Sequence, residues 1–417
     1  MHDQHLRTGS FLLPAPHVNP AAWACVACDQ FTSQPDYWQN AEAVAAGKPS
    51  ALHLVLPESY LPDAQARVPL IHQAMRDALA QGTLAQGVHD GFVLVERVTQ
   101  SGTHAGLLAL VDLESYDYRA GSHAPVRATE GTIISRIPPR LAVRRGAALE
   151  LSHVLLLIDD PQKTVVEPLF ARRNHLHTLY DFPLMLGGGH LRGYAVSDEN
   201  DIEGVFAALH ALKARGAGEL LYAVGDGNHS LATAKAYWEE LKPAVPEAER
   251  EAHPARYAMV EVQNIHSEAL VFEPIHRVLF GIDGDDLLPM FQAWAAQRGW
   301  TLADGADGHP IQIVYEGKEV DLSVDGSGHP LAVGALQAFL DDLLPMHPEA
   351  SLDYVHGEEA ARALAMQERT VAFLLPAMPK EMLFQAVETM GSLPRKTFSM
   401  GEAHEKRYYM EARRLER

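Results

Sequence analysis

Apolar and polar positions along this chain fall into blocks, and the spacing within each block predicts its element. The clearest change of period lies between 219 and 241. An apolar run of strand length at 220–224 meets the turn Gly225-Asp226-Gly227, and Leu231, Ala234, Trp238 and Leu241 then recur at helical spacing. This predicts a strand, a glycine turn and a helix with one buried face, with Asn228 as a residue of N-cap type at its start. Upstream, the pattern predicts a buried strand over 21–27, turn residues at 28–33, and a helix opened by Pro35 and running through Trp38. A strand over 52–56 and a helix over 68–81, stopped by Gly82, follow. Strands over 91–98 and 104–113 flank Gln100-Ser101-Gly102, a hairpin signal. Strands are further expected over 152–158, 194–197 and 257–265, and helices over 166–179 and 202–215. The opening to Pro20 and the stretch 128–145 have no clean period; the second reads as a long loop, and long ordered loops tend to carry function. From about Phe280 the texture changes to short elements between glycine-aspartate turns. Helices are expected over 285–299, 331–344 and 381–390, and strands over 311–315, 320–324 and 370–375. This predicts a second, smaller α/β unit.

A chain of 417 residues is too long for one small core, so two or three compact units are expected. Apolar content of 47% and charged content of 21% fit an ordinary soluble globular protein. A net charge of −20 disfavours a nucleic-acid partner, because neutralising phosphates needs a basic face. The N-terminus lacks a basic region followed by an apolar one, and the run 154–158 is far too short to span a bilayer. Two cysteines cannot build a disulfide framework, and a cytoplasmic location is expected.

The glycine turn concentrates the candidate chemistry. Gly225 and Gly227 let backbone approach a ligand closely, and the first turn of the following helix offers N–H groups and a positive dipole end to a phosphate or carboxylate. Asp226 adds a metal-binding carboxylate and His229 a titratable imidazole. Arg127, Thr129, Glu130 and Thr132, with Arg136 and Arg140 beyond them, resemble the lining of an oxyanion site. Arg395, Lys396, Thr397 and Ser399 form a second cluster of cations and hydroxyls beside Gly401. Arg407, Arg413, Arg414 and Arg417 suit the C-terminal end of a final helix. Cys25 and Cys28 have C-x-x-C spacing, but in a strand they point to opposite faces, so they read as small hydrophobes. His175 and His177 read as a solvated pair, and Gly187–Gly189 as either a connection or a phosphate cradle. The common nucleotide, nucleophile-elbow and zinc-protease motifs are missing.

Five stretches together resemble one family. GDGNHSLATAK at 225–235 is similar to the D-G-[HN]-H-[RS]-x-x-T-A signature of the family known as domain of unknown function ten-fifteen. VACDQFTSQPDYW at 26–38, RATEGTIISRIPPR at 127–140, NIHSEALVFEPIHR at 264–277 and PRKTFSMGEAHEKRYYMEARR at 394–414 carry the resemblance over nearly the whole chain. The turn is similar to the helix-start motif of the ParB/sulfiredoxin-like superfamily, whose members bind nucleotide phosphates there and include the free-serine kinases. The resemblance therefore implies a mixed α/β fold, a ParB/sulfiredoxin-like nucleotide-binding core, with a second, smaller α/β domain. The expected division is 1–275, 276–393, and a C-terminal segment 394–417 packing back near the site. Asn228 and Ser230 stand where the family more commonly has His and Arg, so Arg127, Arg140 or Lys396 would supply the missing charge. The cysteine of sulfiredoxins is absent from the turn, so sulfinic-acid reduction is not carried over.

The leading expectation is a small-molecule kinase or phosphotransferase using a nucleoside phosphate, ATP or ADP with Mg2+, and an amino acid such as serine as acceptor. Gly225, Gly227, Asn228 and Ser230 would hold phosphates with Thr132, and Asp226 would help bind Mg2+. His229 would hydrogen-bond the transferring phosphate, and Asp29 or Glu130 would accept the hydroxyl proton. Arg127, Arg140 and Lys396 would bind phosphate or the acceptor's carboxylate. A nucleotide-switch protein without metabolite turnover is the alternative, and a metal-dependent hydrolase built from some of the 22 histidines is a further one. The expected partners are nucleotide and small-molecule substrate, with a homodimer as candidate assembly and neither nucleic acid nor membrane.

Overall fold

The computed structural model describes residues 5–32, 34–119, 121–215, 218–303 and 308–416. The chain is mixed α/β and divides into two compact units: the residues up to Leu270 together with those from Gly401 onward, and Val271–Met400.

The first unit is built on a mixed sheet of 11 strands. Its order runs His177–Pro183, His190–Val196, Leu84–Thr99, Gly102–Asp112, Tyr257–Asn264, Leu155–Ile158, Tyr222–Asp226, Val126–Ala128 and Tyr116–Asp117. The hairpin signal at 100–102 holds: Thr99 faces Gly102 and the two long strands pair antiparallel. The strand Tyr222–Asp226 runs parallel to Val126–Ala128 and antiparallel to Leu155–Ile158. Its far end therefore lies beside the start of the 155–158 strand and the end of the 126–128 strand. Apolar residues cover both faces of the sheet. One core includes Trp23, Trp38, Met75 and Tyr408, and the other includes Phe92, Phe206, Leu231 and Trp238.

Several expectations are corrected. The opening is not irregular: Gly9–Pro14 pairs with the strand Leu84–Thr99. The 21–27 block is a short helix, Pro20–Trp23, followed by the two-residue strand Cys25–Val26, because Asn19 caps Ala21 N–H and Pro20 opens the turn. The 52–56 block is a 3-10 turn, Ala51–Leu54, capped by Ser50. The stretch 128–145 is not all loop; Ile137–Arg144 is helical, with prolines confined to its first turn, where their missing N–H costs nothing. The 166–179 helix stops at Ala171 and gives way to a strand, His177–Pro183. The expected final helix is absent from the described residues. After a turn at Ala403–Glu405 the chain runs extended, Tyr408–Tyr409 pairing with Cys25–Val26 and Arg413–Arg414 with Leu149–Glu150. Arg417 lies outside the described residues.

The second unit has a sheet ordered Thr301–Ala303, Lys318–Asp325, His309–Tyr315, Thr370–Leu374, Phe272–Phe280 and Ser351–His356, with Phe398–Met400 also pairing with Phe272–Phe280. The helices Gly284–Gln297 and Ala332–Leu343 meet through the stacked rings of Phe291 and Phe339, 4.4 Å apart. Arg277 is fully buried here and donates to the carbonyls of Ile275, Arg395 and Lys396.

Candidate functional site

The turn at 225–227 is shaped by two departures from regular structure. Val224 pairs with Leu156 and Asp226 with Leu155, so Gly225 is the extra residue of a bulge, and a bulge re-aims the side chain that follows. Gly227 then takes φ 78°, which glycine alone adopts readily, and a Cβ there would lie 3.0 Å from Val154 Cα. Gly227, not Asn228, is the N-cap, and Asn228–Leu241 is the helix. The first bond of its ladder runs from Leu231 N–H to Gly227 O, so the N–H groups of 228–230 precede the ladder at the positive end of the helix.

Three chain-distant segments meet this helix start. Asp226 accepts from Gly227 N–H at 2.8 Å and pairs with Lys406 Nζ at 3.2 Å. His153, just before the strand Leu155–Ile158, contacts Ser230 Oγ through Nε2 at 3.3 Å and the Tyr409 hydroxyl through Nδ1 at 2.7 Å. The same Nε2 lies 3.2 Å from Asp29 Oδ2; Asp29 is 25% exposed, the imidazole 3%. The returning C-terminal segment is anchored by buried Arg407, which donates to Ser152 O, Glu261 and Glu411 and so ties the His153 segment to it.

The electrostatics follow from this packing. Burial works against a charged His153, but the charge and hydrogen bond of Asp29, with Asp226 behind them, outweigh it and hold the imidazole above its ordinary 6.5. Burial likewise opposes the Asp29 carboxylate. His153, the Gln30 amide and Lys406 overcome it and hold Asp29 well below the usual carboxylate range. The pair is best described as carboxylate and imidazolium.

The expected site residues distribute as follows. Asp29, Asp226 and Ser230 converge, linked by His153. His229 accepts from Ile133 N–H through Nε2 at 3.3 Å, which assigns the ring proton to Nδ1. Glu130 follows Thr129, whose hydroxyl donates to Val224 O, so it lies by the end of the strand Tyr222–Asp226. Thr132 Oγ1 and Asn228 Oδ1 are buried without a hydrogen-bond partner, as groups awaiting a polar ligand would be. Arg140 pairs with Glu58, donates to Arg136 O and feels the charge of Asp29. Arg127 is not brought to the turn: buried, it donates to the Ala124 and Ser122 carbonyls, at the start of its strand rather than the end. Lys396 belongs to the second unit, where its carbonyl accepts from Arg277. His153, Lys406 and Tyr409 were not singled out from the sequence; the last two lie in the basic-aromatic run HEKRYY at 404–409, the one local signal for them.

Asp226 fits the Mg2+ mode in which the ion rides on substrate phosphates with one or two protein carboxylates, although Lys406 already shares that carboxylate. Among the described residues no group of three or more His, Cys, Asp or Glu could hold a metal. Both cysteine thiols are free. Cys28 is pushed up to about 12 by burial and by Asp29 beside it, so it stays a thiol. His175 and His177 are exposed. No described helix is long and apolar enough to cross a membrane.

A family model described as "Protein of unknown function (DUF1015)" matches residues 12–346. No curated protein matches the chain. Among solved structures the chain is similar to a free serine kinase in complex with AMP, at 12% identity over 72% of this chain and 93% of that one, with a TM-score of 0.39. It is also similar to SbnI with C-terminal truncation from Staphylococcus aureus, at 13% identity over 70% and 82%, TM-score 0.38. A conserved hypothetical protein from Pyrococcus furiosus gives 12% identity over 70% and 91%, TM-score 0.35. Likeness at these scores supports no inference about chemistry.

Proposed function

The chain belongs to the DUF1015 family of proteins of unknown function, and on that premise we propose that it is a small-molecule phosphotransferase that takes a nucleoside phosphate at the 225–230 turn. The reading is supported by one observation: Asp29, paired with buried His153, is linked through Ser230 to a helix start whose first N–H groups precede the ladder, an arrangement suited to phosphate. Phosphoryl transfer needs positioned phosphates, charge neutralisation and a proton acceptor at the attacking hydroxyl.

In this reading the N–H groups of 228–230 and the Thr132 hydroxyl bind phosphate oxygens. His229 donates from Nδ1, and Lys406 offsets the charge. The acceptor hydroxyl attacks the terminal phosphorus as the bond to the bridging oxygen breaks. The nucleotide leaves one phosphoryl shorter, and the hydroxyl proton passes to Asp29. His153 is a positioning residue that keeps Asp29 ionised and oriented. A divalent cation bound with the nucleotide would neutralise its phosphates, with Asp226 as its protein ligand.

The test is a thermal-shift screen of ATP, ADP, CTP and GTP with and without Mg2+. A ligand at about 1,000 times its Kd adds about 4 kcal/mol to stability, a readable shift. The expected result is a nucleotide-specific shift lost in His229→Ala, with turnover falling more than stability. No shift with any nucleotide refutes the reading.

A further inference from the structure

A cavity of about 130 Å³ opens beneath the helix start, and its two ends differ in chemistry. One end carries His153, Ser230 and Cys28. The walls are apolar, from Leu54, Met75, Val143 and Leu231. The other end carries Arg144 and Glu150. Glu150 accepts from Arg413 at 2.6 Å and pairs with Arg144 at 2.7 Å, so two guanidiniums share one carboxylate and one positive charge is left over. Arg144 Nε is buried without a hydrogen-bond partner. Arg140 does not add to this excess, being balanced by Glu58.

The two polar groups sit against different turns of the helix Asn228–Leu241. Arg144 Cζ lies 5.9 Å from the Tyr237 ring, and Tyr237 is seven residues, about 10 Å of helix, beyond Ser230. In serine the hydroxyl and carboxylate hang on adjacent carbons, so one serine cannot reach both ends, and its zwitterion would desolvate against apolar walls. Resting on the phosphotransferase reading, we infer that the acceptor held in this cavity is a hydroxy acid whose hydroxyl and carboxylate are separated by several apolar carbons, the hydroxyl at Asp29 and His153 and the carboxylate at Arg144. The apolar walls strip water from the carbon chain, and the surplus guanidinium accepts the carboxylate. The transfer step is the one above, with this hydroxyl as nucleophile and its phosphate ester as product.

The test is calorimetric titration of the full chain with 6-hydroxyhexanoate, hexanoate and L-serine. Alongside it, the ADP thermal shift reports the nucleotide site independently. Expected are binding of 6-hydroxyhexanoate, at least tenfold weaker binding of serine, and intermediate binding of hexanoate. Arg144→Met should weaken 6-hydroxyhexanoate at least tenfold, and Val143→Phe, which fills the cavity, should abolish its binding, both with the ADP shift kept. Serine binding as tightly as 6-hydroxyhexanoate, no binding of either, or binding indifferent to Val143→Phe overturns the inference. Those outcomes with an intact ADP shift leave the phosphotransferase reading standing, whereas a missing ADP shift refutes that reading whatever the acids do.

Discussion

Replacing Asp29 by Asn removes one charge from the pair that organises the site and keeps the shape. In the native chain the His153 ring faces Asp29 at 3.2 Å, the Asp226 carboxylate, the Arg407 guanidinium and the Tyr409 hydroxyl. Without Asp29, Asp226 remains, but Lys406 already shares it, and burial then dominates and drives the imidazole below its ordinary 6.5. The direction of the pH effect follows. In the native chain the raised imidazole contributes stability that is fully present below about 6.5 and is lost as pH rises through the higher folded value. In the variant the folded state resists protonation, so stability falls as pH drops below about 6.5, by about 1.4 kcal/mol per unit until the depressed folded value is reached. At a pH above the raised folded value the imidazole is neutral and the cost is that of a weakened hydrogen bond, about 1 kcal/mol. At about pH 5.5 the cost grows to about 2–4 kcal/mol. The depressed Asp29 carboxylate expresses the same interaction from the other side. Its contribution is lost only in stronger acid, below the usual carboxylate range, and does not add in this window. Native-state hydrogen exchange of the helix Asn228–Leu241 reports the first unit alone, and comparing variant with native chain at each pH cancels the intrinsic exchange rate. A cost that is the same at both pH values, or larger at the higher one, refutes the carboxylate–imidazolium description.

Three further outcomes are expected. Gly227→Ala forces a side chain into φ 78° and within 3.0 Å of Val154 Cα; it should lower stability by about 1–3 kcal/mol, read by thermal unfolding, and a neutral result would contradict the left-handed turn. Lys406→Met leaves Asp226 without its cation in a mostly buried setting; it should cost about 1–3 kcal/mol and weaken any nucleotide shift, and an unchanged melting curve would mean the pair contributes nothing. Cys28 is held protonated, so native protein at about pH 8 should resist iodoacetamide by mass spectrometry; rapid alkylation would show an accessible thiolate.

Period and punctuation in the sequence were enough to define the strand, glycine turn and helix at 222–241, the hairpin at 99–102 and the helices of the second unit. Each of these depends on neighbours a few residues apart: the apolar repeat at 231, 234 and 238, the turn residues at 100–102, the glycines at 225 and 227. Where the local signal misled, tertiary packing or capping decided. The apolar 21–27 block became a helix and a two-residue strand because Asn19 and Pro20 start a turn there, and its strand found a partner only in Tyr408–Tyr409. The basic C-terminal run became extended because Arg407 and Arg413 are each worth more bonded to buried Glu261, Glu411 and Glu150 than lining a helix end. The residue types at the glycine turn were legible, but their partners were not. Asp226 draws its cation from Lys406, and Asp29 its proton partner from His153, across long stretches of chain that only the sheet order brings together. Local sequence sets dihedral preferences and burial periods, whereas ion-pair partners are chosen by which strand ends become neighbours. The sequence by itself therefore specified where a glycine turn would open a helix, and the tertiary structure alone decided which charges surround that helix start.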